Sequence, residues 1–253
     1  IRHRGPLLGA HRTSSGGFSL HTDPLIRRLT GFRRFKSVAQ KLAVYGALHL
    51  PDGYAALISL PTGGGKSLIT QTLAYQREGL TIVVVPTVSL AIDQVRTAKK
   101  IVQSAHVDEE IFFYSSGVAI APILQAIEKK TAKMLFISPE ALLKNEGFAE
   151  AVKKANAARY LRNLVIDEAH IVVDWGASFR VDYQCLESWR RMLLESNPGI
   201  RTVLLSATFD EPCCTVLKDF FSEDGEKWLE IRCDALRHEP RYMFVKAKSF
   251  ADK

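Results

Sequence analysis

Apolar runs recur along the chain, separated by longer stretches in which polar and apolar residues mix. The runs Tyr54–Leu60, Leu80–Val85, Ile111–Tyr114, Lys133–Ile137, Leu161–Ile166 and Arg201–Leu205 are mostly near-continuous in Val, Ile and Leu. Continuous rather than alternating runs predict strands buried on both faces, as in a parallel sheet. The segments Ser67–Glu78, Ser89–Ser104, Ala119–Thr131, Phe148–Ala158 and Asp182–Ser196 read as the helices between them. Strands and helices in alternation are the spacing of βαβ units, so the expected class is α/β, with a mainly parallel sheet covered by helices on both faces. No internal repeat or low-complexity tract is evident. The longest apolar run is far below the ~18 residues of a membrane span, and no membrane partner is expected.

Composition changes this picture little. The chain has 253 residues, 47% hydrophobic and 24% charged, which suits one large globular domain or one plus fragments. The net charge of +7 is more informative in its location. Residues 1–36 hold eight Lys and Arg against the single acid Asp23, so the rest of the chain is balanced. The core is therefore not basic overall, and any footprint on phosphate is local or comes from the N-terminal segment. Residues 1–22 read as a basic linker or the tail of a preceding domain, 23–240 as the α/β domain, and 241–253 as the start of a second domain. With no initiator methionine, the chain is expected to be a piece of a longer protein. The cysteines Cys185, Cys213, Cys214 and Cys233 lack zinc-ligand spacing and read as reduced thiols in a cytosolic protein.

Chemistry enters at the turn after the first apolar run, Pro61-Thr62-Gly63-Gly64-Gly65-Lys66-Ser67. Three consecutive residues without a Cβ let backbone N–H groups curl around a phosphate, and the following helix points its positive end at the same anion. Lys66 would reach the β and γ phosphates of a nucleotide, and Ser67 would ligate Mg²⁺. The pattern G-x-x-x-x-G-K-[ST] is met except at its first position, where Leu60 stands. A second site candidate closes the run Leu164-Val165-Ile166 with Asp167-Glu168-Ala169-His170. Carboxylates at the C-terminal end of a buried strand lie on the ligand edge of an open α/β sheet. Asp167 would hold Mg²⁺, Glu168 would orient and deprotonate an attacking water, and His170 would couple the site to its neighbours. Alone, an Asp-Glu pair is as readily a strand-to-helix cap.

Further strings stand in a definite order: Phe35-Lys36-Ser37-Val38-Ala39-Gln40, then Val85-Pro86-Thr87-Val88-Ser89-Leu90-Ala91-Ile92-Asp93-Gln94, Ile137-Ser138-Pro139-Glu140 and Ser206-Ala207-Thr208. After the acidic string come Trp175, Gly176, Phe179, Arg180 and Tyr183. In this order the residues from about Arg34 to Thr208 resemble RecQ-like DNA helicases of superfamily 2, whose DEAH box Asp167–His170 matches. The resemblance implies a RecA-like P-loop NTPase domain that uses ATP and Mg²⁺ and tracks single-stranded or junction DNA. It implies that Gln40 reads the adenine edge and Phe35 stacks on the base, with Phe32 and Arg34 as weaker candidates. It implies nucleic-acid contacts from Pro86, Thr87, Ser89, Gln94, Ser138 and Pro139, and coupling through Ser206 and Thr208. The loop of Trp175, Phe179 and Arg180 is peculiar to RecQ-like enzymes, where it senses single-stranded DNA; aromatic faces stack on bases at ~1–3 kcal/mol each. Trp175 and Phe179, four apart, also suit one core-facing side of a helix. Ala177-Ser178 and Val181 depart from the family pattern, as does one extra residue before Gln40. The string around Gln40 is also similar to that of the RecQ-like component of bacterial systems inserting deazapurines into DNA.

No Gln-x-x-Gly-Arg-x-x-Arg string is present. The resemblance places those arginines in a second RecA-like domain, so little hydrolysis is expected from this chain alone. Two function classes follow: an ATP-dependent DNA helicase or translocase, and a nucleotide-gated DNA-binding scaffold of a modification or defence complex, with its own protein partners. The implied location is cytoplasmic, with the nucleoid in a bacterium.

Overall fold

The computed structural model describes residues 2–3, 19–173, 181–223 and 225–233. Its strands are β1 (Arg2–His3), β2 (Ala55–Ser59), β3 (Leu80–Val84), β4 (Ile111–Phe113), β5 (Met134–Ile137), β6 (Leu161–Ile166), β7 (Arg201–Ser206) and β8 (Trp228–Cys233). They form one sheet in the order β1-β8-β2-β7-β6-β3-β5-β4, and each pairing is parallel. The helices are α1 (Pro24–Thr30), α2 (Val38–Leu48), α3 (Lys66–Gln76), α4 (Val88–Ile101) and α5 (Val107–Glu110). They continue with α6 (Ala121–Glu128), α7 (Pro139–Lys144), α8 (Glu146–Ala157), α9 (Val181–Ser196) and α10 (Glu211–Phe221). A 3₁₀ turn, Ala169–Val172, follows β6.

The strands show why continuous apolar runs mean two covered faces. Successive side chains of a strand point to opposite sides. Ala55 and Leu57 of β2 join one core with Ile82, Leu164 and Leu204, under α6, α8, α9 and α10. Ala56 and Ile58 join the other with Val83, Val165 and Val203, under α1 to α4. Every residue of β2, β3, β5 and β7 is buried. Phe35 N–H donates to Leu20 O at 2.7 Å and Thr22 N–H to Arg33 O at 3.1 Å, so the chain is tied to the domain from Leu20 onward.

At the N-terminal edge of the sheet the core holds a charged group. Arg201, 1% exposed, donates to Asn163 Oδ1 at 3.0 Å, Gln76 Oε1 at 3.1 Å and Leu48 O at 3.3 Å. Leu48 and Gln76 end α2 and α3, so the guanidinium sits against the negative ends of two helices. Arg201 thereby fastens both helices to the sheet. The opposite edge is left for chemistry: with all strands parallel, their C-terminal ends line up there. Ser59 pairs with Ser206, Ile166 with Leu204, and Val84 with both Ile166 and Ile137.

Candidate functional site

Helices α4, α7 and α10 each begin just beyond a strand end on this edge, and each is capped by a side chain. Thr87, Ser138 and Asp210 accept from Leu90, Ala141 and Cys213 N–H respectively. Helix α3, after β2, begins at Gly65 with no side-chain cap. Its first-turn N–H groups are thus without the usual acceptor, beside the positive helix end, which is a ready anion site. Gly63 and Gly65 adopt φ of +77° and +88°, and a Cβ on Gly65 would lie 2.0 Å from Gln40 Nε2. Gly64 has no room either, since its Cβ would meet Pro61 O at 2.7 Å. The loop therefore needs its glycines, while Leu60, where the usual pattern has glycine, is a core residue 1% exposed that continues β2. Gly65→Ala is expected to weaken nucleotide binding roughly tenfold or more, because ~1–2 kcal/mol of left-handed strain is of that size before the clash is added. Titration with a fluorescent ATP analogue checks it; unchanged affinity would mean the loop does not grip phosphate in this conformation.

Two side chains from the segment before α2 hold this loop. Gln40 is 3% exposed; its Oε1 accepts from Lys36 N–H at 2.7 Å and its Nε2 donates to Gly65 O at 3.3 Å. Lys36 Nζ donates to Gly63 O at 3.1 Å. An amide has two lone pairs and two N–H groups, so Gln40 keeps one of each beyond these bonds. Lys36 did not figure among the expected site residues, although its place between Phe35 and Ser37 was visible. Phe35, expected to stack on adenine, is instead a core residue 3% exposed, tilted against Tyr45 at a ring separation of 5.8 Å. The aromatic of this segment with an open face is Phe32, 41% exposed.

The acidic string lies two strands from the loop, past β7. Asp167 is 5% exposed and Glu168 partly so. Burial pushes the Asp167 carboxyl up; the Gln94 bond opposes this, the Glu168 charge adds to it, and Lys66 opposes it. Glu168 sits at φ +50°, ψ +45°, a strained left-handed backbone for a residue with a Cβ, of order 1–3 kcal/mol. Its Oε1 lies 3.9 Å from Lys66 Nζ and its Oε2 3.4 Å from His170 Nδ1. Ser206, fully buried at the end of β7, completes the cluster: its Oγ lies 2.9 Å from His170 Nδ1 and 3.0 Å from Thr208 O, and accepts from Thr208 N–H at 3.3 Å. A hydroxyl has one proton. Thr208 O and, at 3.4 Å, Glu168 Oε2 both accept from it, and its lone pairs face Thr208 N–H and His170 Nδ1. Lys66, Glu168, His170, Ser206 and Thr208 are thus one connected network.

The residues expected on nucleic acid divide. Thr87 and Ser89 are exposed and Ser138 is partly so; the Thr87 and Ser138 hydroxyls accept cap bonds and keep a proton to donate. Pro86 and Pro139 are buried, which removes their rings from any surface. Both follow strand ends, where a fixed φ serves the turn into a helix. Gln94 points inward, donating to Asp167 Oδ2 at 2.5 Å. Tyr183 is fully buried in the core under α9. Trp175, Gly176, Phe179 and Arg180 lie outside the described residues.

A family model described as DEAD/DEAH box helicase matches residues 37–216, more than half the chain. The chain is 35% identical over 189 residues to the ATP-dependent DNA helicase RecQ of Synechocystis sp., covering 74% of this chain and 37% of that protein. It is 35% identical over 162 residues to ATP-dependent DNA helicase Q-like 4B of Arabidopsis thaliana, covering 62% and 13%. It is 30% identical over 217 residues to the putative ATP-dependent DNA helicase Q1 of Caenorhabditis elegans, covering 85% and 32%. The chain thus spans between 13% and 37% of the length of these relatives. Among solved structures, Mss116p bound to ssRNA and AMP-PNP superposes with a TM-score of 0.63 at 19% identity, covering 92% of this chain and 47% of that one. The Pyrococcus furiosus Hef helicase domain gives 0.57 at 18%, covering 78% and 38%. At such identities the likeness speaks for the fold alone, a RecA-like α/β domain.

Proposed function

The chain belongs to the DEAD/DEAH box helicase family, and we propose that it is the first RecA-like motor domain of a RecQ-like ATP-dependent DNA helicase or translocase. The observation that carries this reading is the meeting, on one sheet edge, of the uncapped glycine-started α3 with the network of Lys66, Glu168, His170 and Ser206. In this reading the α3 N-terminus and Lys66 bind the phosphates of ATP. Gln40 has one acceptor and one donor left for the adenine edge, and Phe32 offers the open aromatic face.

The donor set also suits magnesium. Among the described residues no group of three or more His, Cys, Asp or Glu converges. That fits Mg²⁺, which takes one or two protein oxygens and draws the rest from phosphate and water. Asp167 and the exposed Ser67 would hold it, and when bound it supplies positive charge to the phosphate oxygens. Glu168 takes a proton from the attacking water as the water oxygen bonds to the γ-phosphorus, and the leaving ADP oxygen carries away the broken bond's electron pair. His170 and Ser206 carry the state of that carboxylate to β7 and Thr208.

The partner in this reading is DNA, met by Thr87, Ser89 and Ser138 and by the loop of Trp175, Phe179 and Arg180. A second RecA-like domain closes on the site from the other side. No described helix is long and apolar enough to cross a membrane.

ATP hydrolysis by the protein joined to its second motor domain, with and without single-stranded DNA, tests the reading. Stimulation by DNA is expected, with most of it lost in Trp175→Ala, since one base–aromatic stack is worth ~1–3 kcal/mol, or roughly 5- to 150-fold. ATP and DNA binding without stimulated turnover would reject a motor in favour of a nucleotide-gated scaffold.

A further inference from the structure

Gln94 carries an inference beyond its expected place on the DNA track. It lies in α4, whose buried face is Ala91, Val95 and Ala98. Gln94, three positions after Ala91 and partly exposed, borders that stripe. Its Nε2 donates to Asp167 Oδ2 at 2.5 Å across 73 positions of sequence. Asp167 itself is 5% exposed, and its backbone N–H is bound to Val84 O at 2.9 Å. One carboxylate oxygen of Asp167 is thus held by a side-chain donor from a separate element, and the Glu168 backbone N–H also bonds the carboxylate.

We propose that Gln94 is a positioning residue for magnesium: its amide fixes the orientation of Asp167, so that one oxygen is presented to the metal and the other is neutralised by hydrogen bonding. This rests on the reading of Asp167 as the metal-holding carboxylate. A ligating carboxylate that can rotate loses affinity, and outer partners of metal ligands contribute 10–100-fold in affinity. The same bond ties Asp167 to the helix whose exposed first turn, about 10 Å away along α4, carries Thr87 and Ser89.

The test is equilibrium binding of a fluorescent ATP analogue as a function of Mg²⁺ concentration, with no turnover involved. It compares the wild type, Gln94→Met, which keeps the length of the side chain, Gln94→Ala, and Asp167→Asn as the reference. Affinity for single-stranded DNA is measured on the same samples, and circular dichroism selects the variants that fold. Gln94→Met, or Gln94→Ala should the former not fold, is expected to raise the Mg²⁺ midpoint by ~10-fold or more while DNA affinity without nucleotide stays within about twofold. An unchanged midpoint in a folded Gln94 variant, with the midpoint shifted in Asp167→Asn, would overturn the positioning role and leave the functional reading intact. Lost DNA affinity with an unchanged midpoint would return Gln94 to the DNA track. If nucleotide affinity depends on Mg²⁺ in neither the wild type nor Asp167→Asn, the reading of Asp167 fails and takes this proposal with it.

Discussion

Glu168→Gln is expected to leave ATP affinity within about twofold while cutting DNA-stimulated turnover by ~10²–10⁴-fold, the usual contribution of a positioned general base. The substitution keeps the volume and one acceptor oxygen of the side chain, so the contacts to His170 and Ser206 at 3.4 Å need not be lost. What disappears is the basic oxygen that takes the water proton. Binding should not weaken, because removing a negative charge 3.9 Å from Lys66 frees the ammonium for an anionic nucleotide. The backbone also argues for a fixed task. Glu168 stands at φ +50°, and such strain persists only where the surroundings hold it. Those surroundings are visible: Ile171 N–H bonds Glu168 O at 3.0 Å and Asp167 N–H bonds Val84 O at 2.9 Å, gripping the turn on both sides. Filter binding and steady-state hydrolysis on the same preparation decide the matter, and unchanged turnover would remove Glu168 as the base.

How much of this was legible depended on which force fixes each element. Strands β2, β3, β5 and β7 could be read because burial on both faces demands apolar residues, and Leu161–Ile166 falls where the run does. Strand β8 could not. It reads Trp-Leu-Glu-Ile-Arg-Cys, and near the sheet edge Glu230 and Arg232 are tolerated because they pair with each other. Helix α10 does carry a local signal: Asp210 before Glu211-Pro212 is a capping residue followed by an early proline. Helix α2 lacks a polar face sharp enough to announce itself, since Ala39, Gln40, Ala43, Val44 and Ala47 are all buried.

The site divides along the same line. Backbone geometry follows from glycine order, so the glycine-started turn into α3 could be expected. Side-chain direction cannot be taken from order alone. Phe35 and Gln94 carry the right chemistry for adenine and DNA, yet packing turns one into the core and the other onto Asp167. The short connection from Gly31 to Lys36 offers two aromatics, and only the fold decides that Phe35, bonded through its backbone to Leu20, faces inward.

Joining this chain to a second RecA-like domain is expected to raise ATP turnover by ~10³–10⁵-fold over the chain alone, the contribution of an arginine finger to phosphoryl transfer. On the proposed reading, the described residues supply the binding half of that chemistry. At the phosphate loop the positive groups are lysines, Lys66 and Lys36. The buried arginines are committed elsewhere: Arg190 to Thr202 and Arg201 to Asn163, Gln76 and Leu48, all at the N-terminal edge of the sheet. Arg232 is held by Glu211 and Glu230. Ground-state binding needs only the α3 N-terminus and Lys66, so nucleotide affinity should change far less than turnover when the second domain is added. On the proposed reading, charge that develops on the γ-phosphate oxygens is met by a donor that arrives with closure. The measurement is single-turnover hydrolysis by the two forms at saturating ATP and single-stranded DNA. Equal rates would place the finger within this chain, where Arg180, between Phe179 and the start of α9, is the arginine to replace next.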